Sequence, residues 1–263
     1  MRILHIFLFA ILLKNVYCDS SRSCFSSLPK PKASPFEVPA ATNTKLGKVR
    51  PQAPAPSKVT AYLLVVQWPP AVCNGISNIK SKCEIKPVPT EFKIHGLWPQ
   101  PDGLPTNEIS DPNQLTHIAT ELNKNWPNLK SKQQQISINL KFWWHEWTKH
   151  GKYSEMGVLD YFKKTLELFK GAGEGLKTKL AAQNITASPY KTYKLQAIEA
   201  ALKKINGNFS CTVICNQRNT SKKKQIQEVR FRYTKDFKMQ NNYVASSTCG
   251  TATTDIMFPD LTN

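Results

Sequence analysis

The longest apolar run in the folded part of the chain predicts a central β-strand. Residues 60–68 read TAYLLVVQW, a β-branched and aromatic segment that is apolar almost throughout. Such continuity is typical of a strand buried on both faces. Gln67 is the polar exception. A buried amide in this place is either a hydrogen-bonding group of the core or a ligand contact at the strand end, and the sequence leaves both open.

Two further strands are indicated by alternation of polar and apolar residues. In residues 92–95 the two apolar side chains share one face, while Lys93 and His95 share the other. We expect Gly96 to end this strand, which places His95 at a strand end. A late strand is predicted over residues 229–233, where Val, Phe and Tyr alternate with two arginines.

Apolar residues at helical spacing predict several helices. Residues 111–114, DPNQ, combine an Asp cap, a proline at the first helical position and a glutamine three residues after the cap, and the helix they start is expected to close at Trp126. His117 lies off its apolar stripe and is interpreted as a solvated histidine. Two more helices are predicted over residues 158–169 and 193–205. Strands and helices without a repeating βα pattern predict an α+β fold.

The helix predicted before Gly151 carries the densest chemistry. Its apolar stripe has i, i+3, i+4 and i+7 spacing and consists of Leu140, Trp143, Trp144 and Trp147. At 100° per residue its four polar groups lie at about 0°, 100°, 40° and 140° around the helix; they are His145, Glu146, Lys149 and His150. Such an arc is often only a solvated surface, but the interleaved aromatic residues favour an active site. Gly151 is expected to end the helix.

The chain is strongly basic, with 36 Lys and Arg against 18 Asp and Glu among 263 residues, a formal net charge of +18. Residues 1–18 have the basic start and apolar run of a secretory signal peptide, and they are too short to span a bilayer. Their removal leaves 34 basic against 18 acidic residues, a charge of +16. Residues 19–58 are predicted to be a basic, Pro-rich extension acting as a passive spacer, followed by a folded domain over residues 59–263.

This charge favours polyanionic partners such as nucleic acid, heparin-like glycans or anionic membranes, without choosing among them. The cysteine count agrees with export, because six of the seven cysteines remain after the signal peptide, an even number that favours disulfides over metal ligands. These are Cys24, Cys73, Cys83, Cys211, Cys215 and Cys249. Three sequons offer glycosylation sites in the same compartment, at Asn184, Asn208 and Asn219.

A zinc protease is disfavoured by the spacing of the histidines. His145 and His150 are five residues apart, about 140° around a helix, whereas the zinc motif needs histidines four apart on one face. No cysteine spacing indicates zinc, and no glycine loop indicates phosphate binding, so no metal or other cofactor is predicted. A histidine pair instead suits a reaction in which one proton is removed and another delivered, because an imidazole pKa of about 6.5 populates both forms. RNA offers this reaction: its 2′-hydroxyl attacks the adjacent phosphate while the 5′-oxygen leaves.

Two segments resemble the active-site motifs of the ribonuclease T2 family. They are residues 92–99, FKIHGLWP, and residues 142–151, FWWHEWTKHG. Residues 67–70, QWPP, with Cys73 resemble the family's opening strand, and the similarity covers roughly residues 60–258. The resemblance implies one α+β domain with an antiparallel central sheet and several helices.

The resemblance also implies roles for individual residues. His150 would take the 2′-hydroxyl proton, His95 would protonate the leaving oxygen, and His145 would help to hold the phosphate. Glu146 and Lys149 would stabilise the charged phosphorus centre. Residues that match the family's nucleotide pockets are Gln67, Asn128, Leu129 and Phe142, although Phe142 also fits the core side of the helix.

Two disulfides are implied by the same resemblance, Cys73–Cys83 and Cys211–Cys249, which leaves Cys24 and Cys215 over. The sequence departs from the family in one respect. Family members commonly carry a cysteine two residues after the second motif's glycine, bridged to a cysteine after the first motif. Here that position is Tyr153, and no cysteine lies between Trp98 and Cys211.

The sequence therefore predicts a secreted, monomeric, metal-independent endoribonuclease that cleaves single-stranded RNA through a 2′,3′-cyclic phosphate. The basic charge resembles pistil self-incompatibility ribonucleases more than their often acidic housekeeping and stress-induced relatives. The alternatives are an S-like ribonuclease of defence or phosphate scavenging, and a catalytically weak cationic binding protein or toxin. RNA turnover distinguishes an enzyme from the last of these.

Overall fold

The computed structural model describes residues 58–75, 83–106, 111–241 and 248–260. The predicted signal peptide, Cys24 and all of the predicted extension except Lys58 lie outside these residues, so the domain boundaries stay predictions. Within the described ranges, no helix has the length and apolarity needed to cross a membrane.

In the described ranges, a seven-stranded sheet lies at the centre of the fold. Its strands are β1 (Ala61–Gln67), β2 (Lys93–Gln100), β3 (Thr192–Lys194), β4 (Thr212–Gln217), β5 (Lys224–Thr234), β6 (Met239–Gln240) and β7 (Asp255–Met257). β1 is buried along its whole length, as its apolar run predicts, and lies antiparallel between β2 and β5. β4 and β6 also pair antiparallel with β5, whereas β7 pairs parallel with β5 and antiparallel with β3.

Helices cover this sheet and complete the core. In chain order they are α1 (Pro69–Asn74), α2 (Ala119–Asn125), α3 (Ile136–Lys149), α4 (Val158–Ala172), α5 (Leu176–Ala181) and α6 (Leu195–Ile205). α4 contacts both β1 and β2, while α2 lies against α3 and α4. The buried apolar faces form one large continuous core that contains Trp126, Trp143 and Phe162. The predicted α+β fold with a largely antiparallel central sheet is confirmed.

Two helix predictions need local correction. The helix capped by Asp111 begins as a 3₁₀ turn, Pro112–Ile118, before it continues as α2; the Asp111 carboxylate accepts a hydrogen bond from the Asn113 N–H at 2.9 Å. The helix predicted from residue 193 begins at Leu195 instead. The three residues before Leu195 are extended in β3 because they pair with β7, a partner that is distant in sequence.

The strand predicted to end at His95 continues to Gln100, and His95 occupies a β-bulge within it. Val65 pairs with Gly96 and Val66 with Ile94, so His95 is the extra residue opposite β1. A bulge shifts the alternation of side chains. Ile94 and Leu97 are therefore both buried, three residues apart, while His95 and Trp98 are both only partly buried.

The disulfide prediction is confirmed for one bond and wrong for the other. Cys73 is bonded to Cys83, but Cys249 is bonded to Cys215, and Cys211 is a buried free thiol. The Thr248 hydroxyl accepts a hydrogen bond from the Cys215 N–H at 2.7 Å and donates to its carbonyl at 2.8 Å, which places Cys249 beside Cys215. Cys211 lies four residues before Cys215, about 13 Å along an extended chain, so the same docking does not bring it to Cys249.

The turn that lacks the family's additional disulfide is connected to the segment after β2 by backbone hydrogen bonds. The Gly103 N–H donates to the Tyr153 carbonyl at 3.0 Å, and the Thr106 N–H donates to the Lys152 carbonyl at 2.7 Å. A Cβ at Gly103 would lie 2.6 Å from the Tyr153 carbonyl oxygen, so glycine permits this close approach. The segment after β2 is thereby attached to the turn after α3.

Candidate active site

The four polar residues of the second motif lie in different environments. α3 ends at Lys149, and His150 caps it with φ −131° and ψ −51°, so the helical arc predicted for all four residues breaks at His150. His145 and Lys149 are exposed, whereas Glu146 is only 7 % exposed and His150 is half-buried. Glu146 is therefore buried together with the aromatic residues of the stripe, whereas His145 and Lys149 lie at the surface.

Gly151 allows the turn that follows His150. A Cβ at this position would collide with the rings of Trp147 and Tyr161, which belong to the core. The chain enters a short 3₁₀ turn, Gly151–Tyr153, directly after the cap. The predicted end of the helix is thus correct to within one residue, but the reason for glycine is close packing.

His95 is held by an acidic side chain from β5. Its Nδ1 lies 2.6 Å from Glu228 Oε1, and the side chains of His95 and Glu228 are 37 % and 4 % exposed. Arg230 donates two hydrogen bonds to the other carboxylate oxygen, from Nε at 3.1 Å and from Nη2 at 2.8 Å. Since β1 separates β2 from β5, the two side chains reach towards each other over one intervening strand, across about 10 Å of sheet.

Opposing effects determine the charge of Glu228. Burial raises the pKa of its carboxyl, but the hydrogen bonds and positive charges of His95 and Arg230 outweigh burial and hold the pKa below its usual value. Glu228 is therefore an ionised carboxylate at neutral pH, which can only accept hydrogen bonds.

Trp98 joins the strand side of the site to the helix side. Its ring stacks on His150 with centroids 5.2 Å apart and 28° between the planes, and it meets His95 edge to face at 5.3 Å. The Arg230 guanidinium lies 5.0 Å from the same ring centroid. Gly96 leaves room for the indole, because a Cβ there would lie 2.6 Å from Trp98 Nε1.

The surroundings of His150 favour its neutral form. Burial is the largest cause that lowers the pKa of His150; the positive groups Lys149, His95 and His145 add to it, and together they bring the pKa to about 4. Glu146 shows the opposite effect. Burial raises the pKa of Glu146 above its usual value, although the same three cationic side chains oppose the rise. These mutual influences show that the five predicted catalytic residues lie together in one site.

The comparison with known sequences decides the family. The profile of the ribonuclease T2 family matches residues 59–249. The chain belongs to the ribonuclease T2 family. As a member of that family it is an RNA-cleaving endoribonuclease.

Relatives and a solved structure agree with this assignment. Ribonuclease MC of Momordica charantia is 38 % identical over 116 residues, a match that covers 41 % of this chain and 56 % of that protein. Ribonuclease Oy of Magallana gigas is 30 % identical over 203 residues, 72 % of this chain and 91 % of that protein. The crystal structure of RNase NT in complex with 5′-AMP superposes with a TM-score of 0.62 at 26 % identity, covering 77 % of this chain and 99 % of the other.

The residues predicted to line nucleotide pockets have mixed environments. Gln67 is buried and donates its amide to the Ile94 carbonyl at 3.2 Å, as the core interpretation of this residue requires. Leu129 is buried in a small apolar cluster with Cys83 and Ile85, while Phe142 packs against the main core. Asn128 is partly exposed and its side chain accepts the Lys130 N–H at 3.0 Å. Their contact with a nucleotide stays a prediction.

The three sequon asparagines, Asn184, Asn208 and Asn219, are all exposed, so glycosylation at them stays an open prediction. A metal was not predicted. In the ranges that the structure describes, no group of three or more His, Cys, Asp or Glu side chains is placed to hold one.

Several residues of the site escaped the sequence reasoning. Trp98 was noted only as part of a motif, and Arg230 only as a polar residue of an alternating strand. Glu228 carried no signal, because its partner His95 is 133 residues away in the sequence. Lys130 also acts on the site, since its charge lowers the pKa of Glu146.

Proposed function

We propose that this T2 ribonuclease cleaves RNA with His150 as general base and His95 as general acid. His150 takes the proton of the 2′-hydroxyl, whose oxygen attacks phosphorus. The bond from phosphorus to the 5′-oxygen breaks, and His95 gives that oxygen a proton. The products are a 2′,3′-cyclic phosphate and a free 5′-hydroxyl. The observation that carries the proposal is the contact of both histidine rings with one indole, Trp98.

The environment of His150 suits a base. Because burial lowers the pKa of His150 to about 4, the ring is unprotonated at neutral pH and can accept a proton. A bound phosphodiester brings negative charge among Lys149, His95 and His145. That charge raises the proton affinity of His150 when the 2′-hydroxyl is in place, which moves the base towards the operating pH.

The remaining polar groups suit the phosphate. His145 and Lys149 are exposed at the rim, where they can meet the phosphoryl oxygens as negative charge develops. Glu146 is a buried carboxyl with a raised pKa, so its protonated form is more populated than in water and can donate a hydrogen bond to a phosphoryl oxygen. Asn128, Leu129 and Phe142, with Gln67 at the end of β1, are the proposed nucleotide contacts.

The reaction needs a 2′-hydroxyl and no metal. A suitable test uses a DNA oligonucleotide that contains one ribonucleotide, incubated with the full protein in the presence of a chelator. We expect one cut, on the 3′ side of the ribonucleotide, with a cyclic phosphate on the product identified by mass spectrometry. The all-DNA oligonucleotide is the matched control and should stay intact. Cleavage of that control, or loss of cleavage with the chelator, would contradict the mechanism.

The enzyme is further proposed to be secreted and to act as a monomer. The signal-like residues 1–18, three exposed sequons and two disulfides support export. All groups of the proposed mechanism come from a single chain. Secretion is tested by expressing the full chain in plant cells and assaying the medium for the processed, glycosylated protein.

The strongly basic charge favours a role in pistil self-incompatibility. This role requires expression in the pistil and rejection of pollen that depends on the ribonuclease gene. Expression induced by phosphate starvation or wounding, without an effect on pollen, would favour the S-like role instead.

A further inference from the structure

We propose that Glu228 is the positioning residue for His95: its buried carboxylate holds the imidazole by Nδ1 and leaves Nε2 to face the departing oxygen, with Arg230 fixing the carboxylate. This inference rests on the proposed role of His95. It adds a strand, β5, to an active site that the sequence motifs place only on β2 and at the end of α3.

The first support for this proposal is the way in which the Glu228 carboxylate is bound. Glu228 Oε1 lies 2.6 Å from His95 Nδ1, while Oε2 receives both hydrogen bonds from Arg230. Each carboxylate oxygen therefore has its own partner. With its side chain only 4 % exposed, Glu228 is shielded from water and its position is determined by these contacts.

The tautomer of His95 follows from the charge of Glu228. An ionised carboxylate only accepts hydrogen bonds, so Nδ1 must carry a hydrogen in both the neutral and the protonated ring. Nε2 is then the nitrogen that gains and loses the catalytic proton. More than a third of the His95 side chain stays exposed, at 37 %, so the ring is accessible to substrate.

The negative charge also stabilises the form of His95 that an acid requires. The groups that interact electrostatically with His95 are Glu228 from β5, and Glu146 and His150 from α3 and its cap, while Arg230 binds the other oxygen of Glu228. Glu228 is the carboxylate that hydrogen-bonds the ring directly among these groups. A buried carboxylate in this position orients an imidazole and stabilises the imidazolium without taking its proton.

The bulge in β2 allows His95 to contact both Glu228 and Trp98. Gln67 pairs with Lys93 on one side and with Glu228 on the other, so regular alternation from Lys93 already places His95 on the face of Glu228; the bulge then brings Trp98 to that same face. Without the bulge, residue 95 and residue 98 would point to opposite faces. His95 would then lose either Glu228 or Trp98.

Glu228→Gln gives the sharpest test. The amide keeps the size of the carboxylate, but Arg230 can only donate, so the Gln oxygen turns to Arg230 and its NH₂ turns to His95. Nδ1 must then accept a hydrogen bond, which reverses the tautomer and opposes protonation of the ring. We expect kcat on RNA to fall about 100-fold or more, within the ~10²–10⁴-fold that a general acid contributes.

Two controls separate positioning from simple loss of an ion pair. Glu228→Asp restores the charge and should recover at least ten-fold of the lost kcat, by the same acid–base reasoning. Glu155→Gln removes a different carboxylate, which accepts from Lys235 and from the Val59 N–H away from the histidines, and should leave turnover unchanged. Circular dichroism and thermal unfolding establish that each variant is folded.

Two further readouts respond only to positioning. The alkaline limb of the pH–rate profile should move to lower pH in Glu228→Gln, because the imidazolium loses its stabilising charge. Nitrogen NMR of the labelled His95 ring should show hydrogen on Nδ1 in the native protein and on Nε2 in the variant. This NMR measurement is independent of turnover.

The possible outcomes distinguish this inference from the proposed function. If the native protein cleaves RNA but Glu228→Gln matches it in kcat, alkaline limb and tautomer, Glu228 does not position His95 and the inference is overturned. If the native protein cleaves no RNA, the proposed function fails, and the tautomer of His95 alone decides whether Glu228 holds it by Nδ1.

Discussion

His95 and His150 stand against the same indole ring but are held in contrasting ways. His95 belongs to a bulged strand and is bound through Nδ1 to an ionised, buried carboxylate. His150 directly follows Lys149 at the end of a helix and stacks on Trp98. The pKa of His150 is lowered to about 4, first by burial and then by neighbouring positive charges.

The difference assigns the two roles by electrostatics. The carboxylate of Glu228 holds His95 by Nδ1, which suits a ring that presents Nε2 as an acid, whereas burial and nearby positive charge favour a neutral His150, which can act as a base. In the proposed mechanism, the strand side of the site delivers a proton and the helix side removes one.

The largest expected effect comes from removing either ring. His95→Ala and His150→Ala should each lower kcat/KM on RNA by about 10²–10⁴-fold, because each ring transfers a different proton. His117→Ala is the matched control, since this histidine is exposed on the 3₁₀ turn, and its activity should stay native. Activity within two-fold of native in either folded variant would remove that ring from the mechanism.

Replacing Trp98, whose ring contacts both histidines, should lower kcat/KM less than removing either histidine. Trp98→Ala loses the stacking on His150 and the contact with Arg230, interactions worth about 1–2 kcal/mol together. That corresponds to roughly a ten-fold loss of kcat/KM. Trp98→Phe keeps an aromatic face and should lose less. Equal losses in the two variants would show that the stacking is unimportant.

Lys149→Gln is expected to shift only the acidic limb of the kcat/KM pH profile, which is assigned to His150. Removing this positive charge makes protonation of His150 easier, so its pKa rises from about 4. A base is inactive when protonated, and the acidic limb of kcat/KM should therefore move to higher pH. Steady-state rates across the acidic range measure the shift. A limb that moves to lower pH would contradict the assignment of His150 as base.

The smallest effect on catalysis is expected at Gly103, where the segment after β2 is hydrogen-bonded to the turn after α3. Gly103→Ala places a Cβ 2.6 Å from the Tyr153 carbonyl and 2.8 Å from Val59 Cγ2, so the segment must shift. We expect a loss of about 1–3 kcal/mol in the free energy of unfolding, typical of overpacking, with kcat changed by less than a few-fold. Gly171→Ala is the control, because a Cβ there meets nothing within 4 Å. Denaturant unfolding of both variants decides whether the attachment stabilises the fold.

The sequence predicted those features that depend on local patterns. β1, the late strand and α3 follow from periodicity, and two motifs indicated the five residues that are proposed to be catalytic. Features that depend on pairing between distant segments were missed. The bulge at His95 arises from register with β1, and Glu228 meets His95 only because β1 lies between their strands.

The disulfide error and the helix error have the same kind of origin. Cys211 and Cys215 are four residues apart and equivalent by composition, and the docking of Thr248 on Cys215 selects the bonded one. Tyr193 fits a helical stripe, yet it pairs with Ile256 in β7. In each case a contact far along the chain overrides the local preference.

The most direct test of the two histidine roles varies the leaving group. A nucleoside 3′-phosphate ester of 4-nitrophenol has a leaving oxygen that needs no proton, while its 2′-hydroxyl still has to be deprotonated. Turnover of this ester and of a dinucleotide is compared for the native protein, His95→Ala and His150→Ala. We predict that His95→Ala recovers most of its lost activity on the ester, whereas His150→Ala stays impaired on both substrates. Recovery in His150→Ala instead, or equal impairment of both variants on the ester, would contradict the assignment of His95 as acid and His150 as base.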